Sequence, residues 1–141
     1  MKDDKVLLVD DSLEDCELLR RALREVGFDP QVVEVHDGQE AIDYLFDGTR
    51  AGQDKRTAPM LVILDLKMPR VGGLQVLQRI RVDAALKHLA VVILTSSDEE
   101  RDLMEAQRLG VTFYFTKPMD FDGYLGLARR FHGMLSHPDG Q

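Results

Sequence analysis

The sequence predicts an α/β domain built on a five-stranded parallel sheet. Three observations carry this reading. Short apolar runs alternate five times with segments of helical spacing, three of the runs are almost continuously apolar, and glycines or capping residues punctuate the helical segments. Strands covered on both faces read as unbroken Val/Ile/Leu runs, and regular strand–helix alternation is the mark of parallel βαβ units.

The runs are Lys5–Val9, Val32–Val35, Met60–Leu64, Val91–Leu94 and Thr112–Phe115. The second carries a charge, Glu34, and is expected at a sheet edge. The last mixes Thr with aromatic residues and suits the opposite edge. Between them, Ser12 is the expected N-cap of a first helix carrying Cys16, Leu19, Ala22, Leu23 and Val26, which Gly27 stops. Asp37 with Glu40 repeats the capping pattern before Ala41, Ile42, Leu45 and Phe46. Leu74, Leu77 and Ile80 mark a third helix. Ser97 with Glu100 is expected to open a fourth, stopped by Gly110, and Asp120 a fifth with Leu127, Ala128, Phe131 and Leu135. Gly123 and Gly126 inside that last helix each cost about 1 kcal/mol relative to alanine. The domain is expected over residues 1–135, with a polar loop from Thr49 to Ala58 and a frayed tail over 136–141.

A chain of 141 residues, 44% hydrophobic and 30% charged, has the size and composition of one soluble domain. Its formal net charge of −7 argues against binding DNA through a broad basic surface. A single cysteine, Cys16, and no signal-peptide pattern fit a cytoplasmic protein, and no apolar run is long enough for a membrane span. The four histidines have no metal-ligand spacing.

In open parallel sheets the functional site lies beyond the carboxyl ends of the strands. Here those ends carry Asp10 and Asp11, Asp65, Thr95 and Ser96, and Lys117 with Pro118; Asp37, after the second strand, is better explained as a helix cap. Each residue alone has an ordinary structural reading. Together, three carboxylates on adjacent strands would repel one another without a cation, and an all-oxygen set suits Mg²⁺, which leaves coordination positions for a phosphoryl oxygen. A carboxylate is a competent nucleophile toward phosphorus. Lys117 and the Thr95 hydroxyl can then neutralise the equatorial oxygens, and the small Ser96 leaves room for entry.

The motifs Val9-Asp10-Asp11, Leu64-Asp65-Leu66-Lys67-Met68-Pro69, Leu94-Thr95-Ser96 and Thr116-Lys117-Pro118, in order over essentially the whole chain, resemble those of the response-regulator receiver domain. The resemblance implies a flavodoxin-like (βα)5 fold with strand order 2-1-3-4-5. It implies a two-component phosphoacceptor switch, not a turnover enzyme, that takes a phosphoryl group from a sensor histidine kinase onto Asp65. Asp11, Asp65 and the Lys67 carbonyl would ligate Mg²⁺, Asp10 would reach it through water, and Thr95 and Lys117 would bind the phosphoryl group. Pro118 would follow a cis peptide bond, and Tyr114 matches an aromatic switch position, though an ordinary edge-strand aromatic fits the residue equally well. Asp43-Tyr44-Leu45-Phe46, the stretch from Leu94 to Asp102 and that from Thr116 to Asp122 are similar to stand-alone regulators partnered with phytochrome-type kinases. That points to a bacteriophytochrome as kinase, to output by protein–protein contact or onward phosphotransfer, and to a homodimer through the fourth helix, fifth strand and fifth helix. Met104, Leu127 and Phe131 are expected to line its apolar patch beside Phe113 and Phe115. Gly72 and Ser12 stand where the family often has other residues, and Gly72 is expected to loosen the loop after Asp65.

Rival readings fare worse. A flavodoxin binds its flavin phosphate in a Ser/Thr/Gly-rich loop after the first strand, where this chain has Asp10-Asp11. A haloacid-dehalogenase phosphatase needs a second Asp two residues after its nucleophile, where this chain has Lys67. A receiver that has lost its chemistry would not keep Asp10, Asp11, Asp65, Thr95 and Lys117 together. Lys67 and Ser97, two residues beyond Asp65 and Thr95, are expected to flank the path of a hydrolytic water. The Lys67 ammonium then either lies across that path and slows hydrolysis or projects into solvent.

Overall fold

The structure, a computed structural model, describes residues 5–46 and 58–136. Ten elements alternate along the chain: β1 (Lys5–Val9), α1 (Leu13–Glu25), β2 (Gln31–Val35), α2 (Gly38–Phe46), β3 (Leu61–Leu64), α3 (Gly73–Val82), β4 (Val91–Thr95), α4 (Glu100–Arg108), β5 (Phe113–Thr116) and α5 (Phe121–Ser136). The strands form one sheet in the order β2-β1-β3-β4-β5, and every pairing is parallel. The charged second strand and the aromatic fifth are therefore the edges, as their sequences suggest. Of the expected polar loop only Ala58 is described. Ser136, expected to begin the tail, is the last residue of α5.

Two compact units make up the chain. The first contains the sheet with α2, α3 and α4. Its core is built by Leu7, Val9, Val62, Leu64, Val91 and Ile93 from alternate positions of the central strands, with Val76, Leu77 and Ile80 of α3 and Ala106 of α4. The alternating partners Val6, Leu8, Ile63, Val92 and Leu94 are buried as well, which is why these runs lack the polar alternation of a half-exposed strand. At the far ends of α3 and α4 the half-buried Arg81 guanidinium donates to the carbonyls of Leu109, Leu89, Gly110 and Lys87 at 2.6, 2.8, 3.0 and 3.2 Å. Burial holds its pKa below the usual arginine value.

The second unit pairs α1 with α5. Ser12 caps α1 by accepting from the Asp15 N–H at 3.2 Å, and Asp120 accepts from the Gly123 N–H at 3.0 Å at the start of α5. Phe28 stacks on His132 with ring centroids 5.0 Å apart, and the Arg21 guanidinium lies 4.7 Å over the Phe121 ring. Gly27 and Gly110, just past α1 and α4, have φ of +81° and +75°, the left-handed turn that ends a helix.

Four expectations change. The fourth helix starts at Glu100 with Glu99 as its cap residue, and Ser97 lies two residues before that cap, its hydroxyl donating to Asp102 at 2.7 Å and accepting from the Glu99 N–H at 3.4 Å. Gly72 does not free its loop: its N–H donates to the Gln75 side chain at 3.0 Å, and Gly73 N–H reaches the Leu66 carbonyl at 3.1 Å. Leu127 and Phe131 are buried and line no exposed patch, whereas Met104 and Phe113 do stand exposed. No peptide bond among the described residues is cis, so the bond before Pro118 takes the trans form that even X–Pro bonds ordinarily prefer.

Candidate functional site

A parallel sheet places the carboxyl ends of its strands at one edge, and here the ladder continues one residue past three of them. Asp10 N–H donates to Val35 O at 3.1 Å, Asp65 N–H to Val9 O at 2.9 Å and Lys117 N–H to Thr95 O at 2.9 Å. The backbones that carry the polar side chains are thereby fixed relative to one another.

Asp65 sits at the centre, 3% exposed. Its Oδ1 accepts from the Thr95 hydroxyl at 2.7 Å and from the Lys67 N–H at 3.2 Å. Its Oδ2 lies 3.1 Å from the Lys117 ammonium, which also lies 3.0 Å from Asp10 Oδ2. Asp10 and Thr95 are buried and Asp11 is exposed. Carboxylate oxygens of Asp10, Asp11 and Asp65 all lie within 4.8 Å of one another. One ammonium cannot neutralise three carboxylates. Such a set can hold a hard divalent cation, whose added charge would balance it.

The polar chain continues away from Asp65. Thr95 Oγ1 accepts from the Ser97 N–H at 3.2 Å, and the Ser97 hydroxyl donates to Asp102 Oδ2 at 2.7 Å. The Tyr114 hydroxyl donates to the Ser97 carbonyl at 3.2 Å. Burial first, then the charges of Asp102, Asp98 and Asp65, push the Tyr114 phenol above its usual pKa against the opposing effect of that hydrogen bond. Thr95 thus faces Asp65, and Tyr114 is seated on the loop after β4.

Sequence reasoning placed Asp10, Asp11, Asp65, Thr95 and Lys117 at one edge, and the structure brings them together. It missed Asp102. A first-turn acid on a helix is ordinarily solvated, and the available signal was its i, i+4 relation to Ala106, which shares the buried face of α4. The Lys67 side chain is about half exposed, and its ammonium lies 3.5 Å from Asp102 Oδ2 and 3.7 Å from Glu99 Oε1. Asp37 caps α2 as expected, accepting from the Glu40 N–H at 2.8 Å. It also receives Arg70, whose φ of +67° curls the loop after β3 toward α2.

Comparison with known proteins agrees with this architecture. The response regulator receiver domain family matches residues 6–127. Among curated proteins, the chain is 36% identical over 117 residues to the probable methanogenesis regulatory protein FilR2 of Methanothrix harundinacea, covering 83% of this chain and 74% of that one. It is 33% identical over 112 residues to the response regulator Rcp1 of Synechocystis, covering 79% and 75%. Among solved structures, the phosphorylated cyanobacterial phytochrome response regulator RcpA superposes with a TM-score of 0.84 at 32% identity, over 94% of both chains.

This is a receiver domain: the chain belongs to the response regulator receiver family and is a phosphoacceptor switch of a two-component system. Within that family, its close sequence and structural relatives include phytochrome-associated regulators.

Proposed function

We propose that Asp65 is the phosphoacceptor and that a sensor histidine kinase, of the phytochrome type, is the donor. One observation carries the assignment: among the strand-end carboxylates, only Asp65 meets both the Thr95 hydroxyl and the Lys117 ammonium at hydrogen-bonding distance. An Asp65 oxygen attacks phosphorus while the P–N bond of a protonated phosphoimidazole breaks. The bonding pair returns to the ring, which leaves as neutral imidazole. Asp65 keeps the phosphoryl group as an acyl phosphate. Lys117 and Thr95, already directed at the carboxylate, neutralise equatorial oxygens of the transferring group without moving far.

The donor set fits Mg²⁺, with Asp11, Asp65 and the Lys67 carbonyl as ligands and Asp10 acting through water. The ion would neutralise phosphoryl charge when bound. A relative, Rcp1, has been solved in a Mn²⁺-bound form, which supports a divalent site of this kind. Loss of the group occurs by hydrolysis in the protein's own site. Output is protein–protein contact or onward phosphotransfer in the cytoplasm, with Thr95 and Tyr114 carrying the change to α4 and β5. No helix among the described residues is long and apolar enough to cross a membrane.

Self-association into a homodimer through α4, β5 and α5 is part of the same reading. It is supported by the exposed Met104 on α4 and by the stacked Phe113 and Phe115 on edge strand β5, 5.5 Å apart. Light scattering is expected to give a dimer mass.

The central test is intact-mass measurement after incubation with a small phosphodonor and Mg²⁺. The wild-type chain gains one phosphoryl mass, and Asp65→Asn or a chelator prevents it. Labelling that survives Asp65→Asn overturns the assignment.

A further inference from the structure

Asp102 is the acid of this site region that phosphotransfer chemistry does not use. It lies in the first turn of α4, is 9% exposed, and sits between the Ser97 hydroxyl at 2.7 Å and the Lys67 ammonium at 3.5 Å, both on its Oδ2. Lys67 is doubly placed: its backbone N–H is on Asp65 Oδ1, while its side chain reaches across to α4. Its other anionic neighbour, Glu99, is half exposed and 3.7 Å away, and an exposed pair of that kind contributes little. The partly buried Asp102 is the stronger hold.

From this geometry we infer that Asp102 is a positioning residue that sets the lifetime of the phosphorylated state, by competing with the phosphoryl group on Asp65 for the Lys67 ammonium. The inference rests on Asp65 being the phosphoacceptor.

Phosphorylation places roughly two negative charges within two residues of Lys67, against the single charge of Asp102. The ammonium then has two anionic sites to choose between, and its backbone is fixed beside the first. In decay, a water oxygen bonds to phosphorus and the P–O bond to Asp65 breaks. The electron pair stays on the Asp65 carboxylate, and both water protons depart with the phosphate as dihydrogen phosphate. An ammonium on a phosphoryl oxygen stabilises the acyl phosphate and stands where water must approach, so each fraction of time Lys67 spends on Asp102 shortens the lifetime. A tenfold change in rate corresponds to about 1.4 kcal/mol, within reach of one charge-assisted contact.

The test is a cycle of half-life measurements in Mg²⁺ on the labelled full chain. Asp102→Asn keeps an oxygen for the Ser97 hydroxyl and removes only the charge. It is expected to lengthen the half-life about three- to tenfold, with Asp102→Glu restoring the wild-type value. Lys67→Met is expected to shorten it, and adding Asp102→Asn to Lys67→Met is expected to change nothing more. An unchanged or shorter half-life in Asp102→Asn, or the same lengthening with Lys67 absent, overturns the inference. If Asp102→Asn does not fold, ¹⁵N NMR of the Lys67 side chain in the wild type decides instead. Its resonance must shift on labelling of Asp65, and a resonance that stays in place overturns the proposal. Failure to label the wild type at Asp65 would defeat the phosphoacceptor assignment. A labelled protein indifferent to Asp102 would defeat only this inference.

Discussion

The Thr95 hydroxyl donates to Asp65 Oδ1 across 2.7 Å, and the same oxygen atom of Thr95 accepts the Ser97 N–H at 3.2 Å. One buried side chain thus joins the carboxylate to the loop whose carbonyl holds Tyr114. Thr95→Ala removes both bonds at once. Lys117 and the acidic cluster remain, so Asp65 still accepts a phosphoryl group, with a stability loss of about 1–3 kcal/mol from the unmet polar groups. Phosphorylation-induced NMR shifts around Tyr114 are expected to vanish in this variant. An undiminished response would mean that the coupling runs by another route.

Glycines in this chain divide by what surrounds them. A Cβ on Gly73 would lie 2.2 Å from the Asp65 carbonyl oxygen and 2.8 Å from Leu66 Cα, both backbone atoms that cannot swing away. Gly73→Ala must therefore displace the loop that carries the acceptor, and thermal unfolding is expected to show a loss of about 3 kcal/mol. Gly126, inside α5, has open space at the same position. Gly126→Ala is expected to stabilise by about 1 kcal/mol through helix propensity alone.

Most of the fold was legible because its signals are local. Unbroken apolar runs rich in Val and Ile, such as Leu61–Leu64 and Val91–Leu94, read as strands buried on both sides, and Gly27 and Gly110 stop their helices through backbone conformation. The five site residues were legible for a topological reason: parallel strands deliver their carboxyl ends to one edge. What escaped depends on contacts between residues distant in sequence. Nothing local says that Asp102 is buried, that Lys67 leaves its own loop for α4, or that Arg81 ties four carbonyls together. Leu127 and Phe131 read equally well as an exposed patch or as core, and only packing settles them inside. The Ser97 hydroxyl does bond at the start of α4, to the Asp102 side chain and the Glu99 N–H, but the helix opens two residues later than its capping pattern suggests.

Asp37 supplies a pH dependence. The Glu40 N–H bond, and after it the Arg70 guanidinium, hold its carboxyl below the usual aspartate value, overcoming the opposing effect of burial. A carboxylate with a depressed folded-state pKa stabilises the fold above its unfolded pKa of about 4, and that contribution is lost as pH falls through and below it. Asp37→Ala removes cap and charge together and is expected to cost about 1 kcal/mol near neutral pH. Asp37→Asn keeps an oxygen to cap α2, so its deficit reports the charge. Denaturant unfolding should show that deficit at pH 7 and its disappearance as pH drops below about 4. A deficit that persists at low pH would assign the effect to packing.

The last prediction concerns the charge imbalance at the acceptor itself. Oxygens of Asp10, Asp11 and Asp65 lie within 4.8 Å of one another, and the Lys117 ammonium bridges Asp10 and Asp65 at 3.0 and 3.1 Å. Lys117 bridges the two buried acids, and Asp11 is the exposed one, positioned where an arriving cation meets the cluster. Without a cation, its charge repels two buried carboxylates whose retreat into solvent is blocked by the ladder bonds at Asp10 and Asp65. Asp11→Asn relieves that repulsion with almost no change of shape. In chelator it is therefore expected to raise the unfolding temperature by roughly 2–5 °C. With Mg²⁺ the order must invert, because an ion that binds only the folded chain stabilises it by RT ln(1 + [L]/Kd), and the variant has lost a ligand. The wild type should gain stability steadily across a Mg²⁺ titration, and Asp11→Asn should gain little. Calorimetry with and without Mg²⁺ checks both halves. A variant less stable than wild type in chelator would show that Asp11 is held by favourable contacts instead of being kept, at a cost to stability, for the cation.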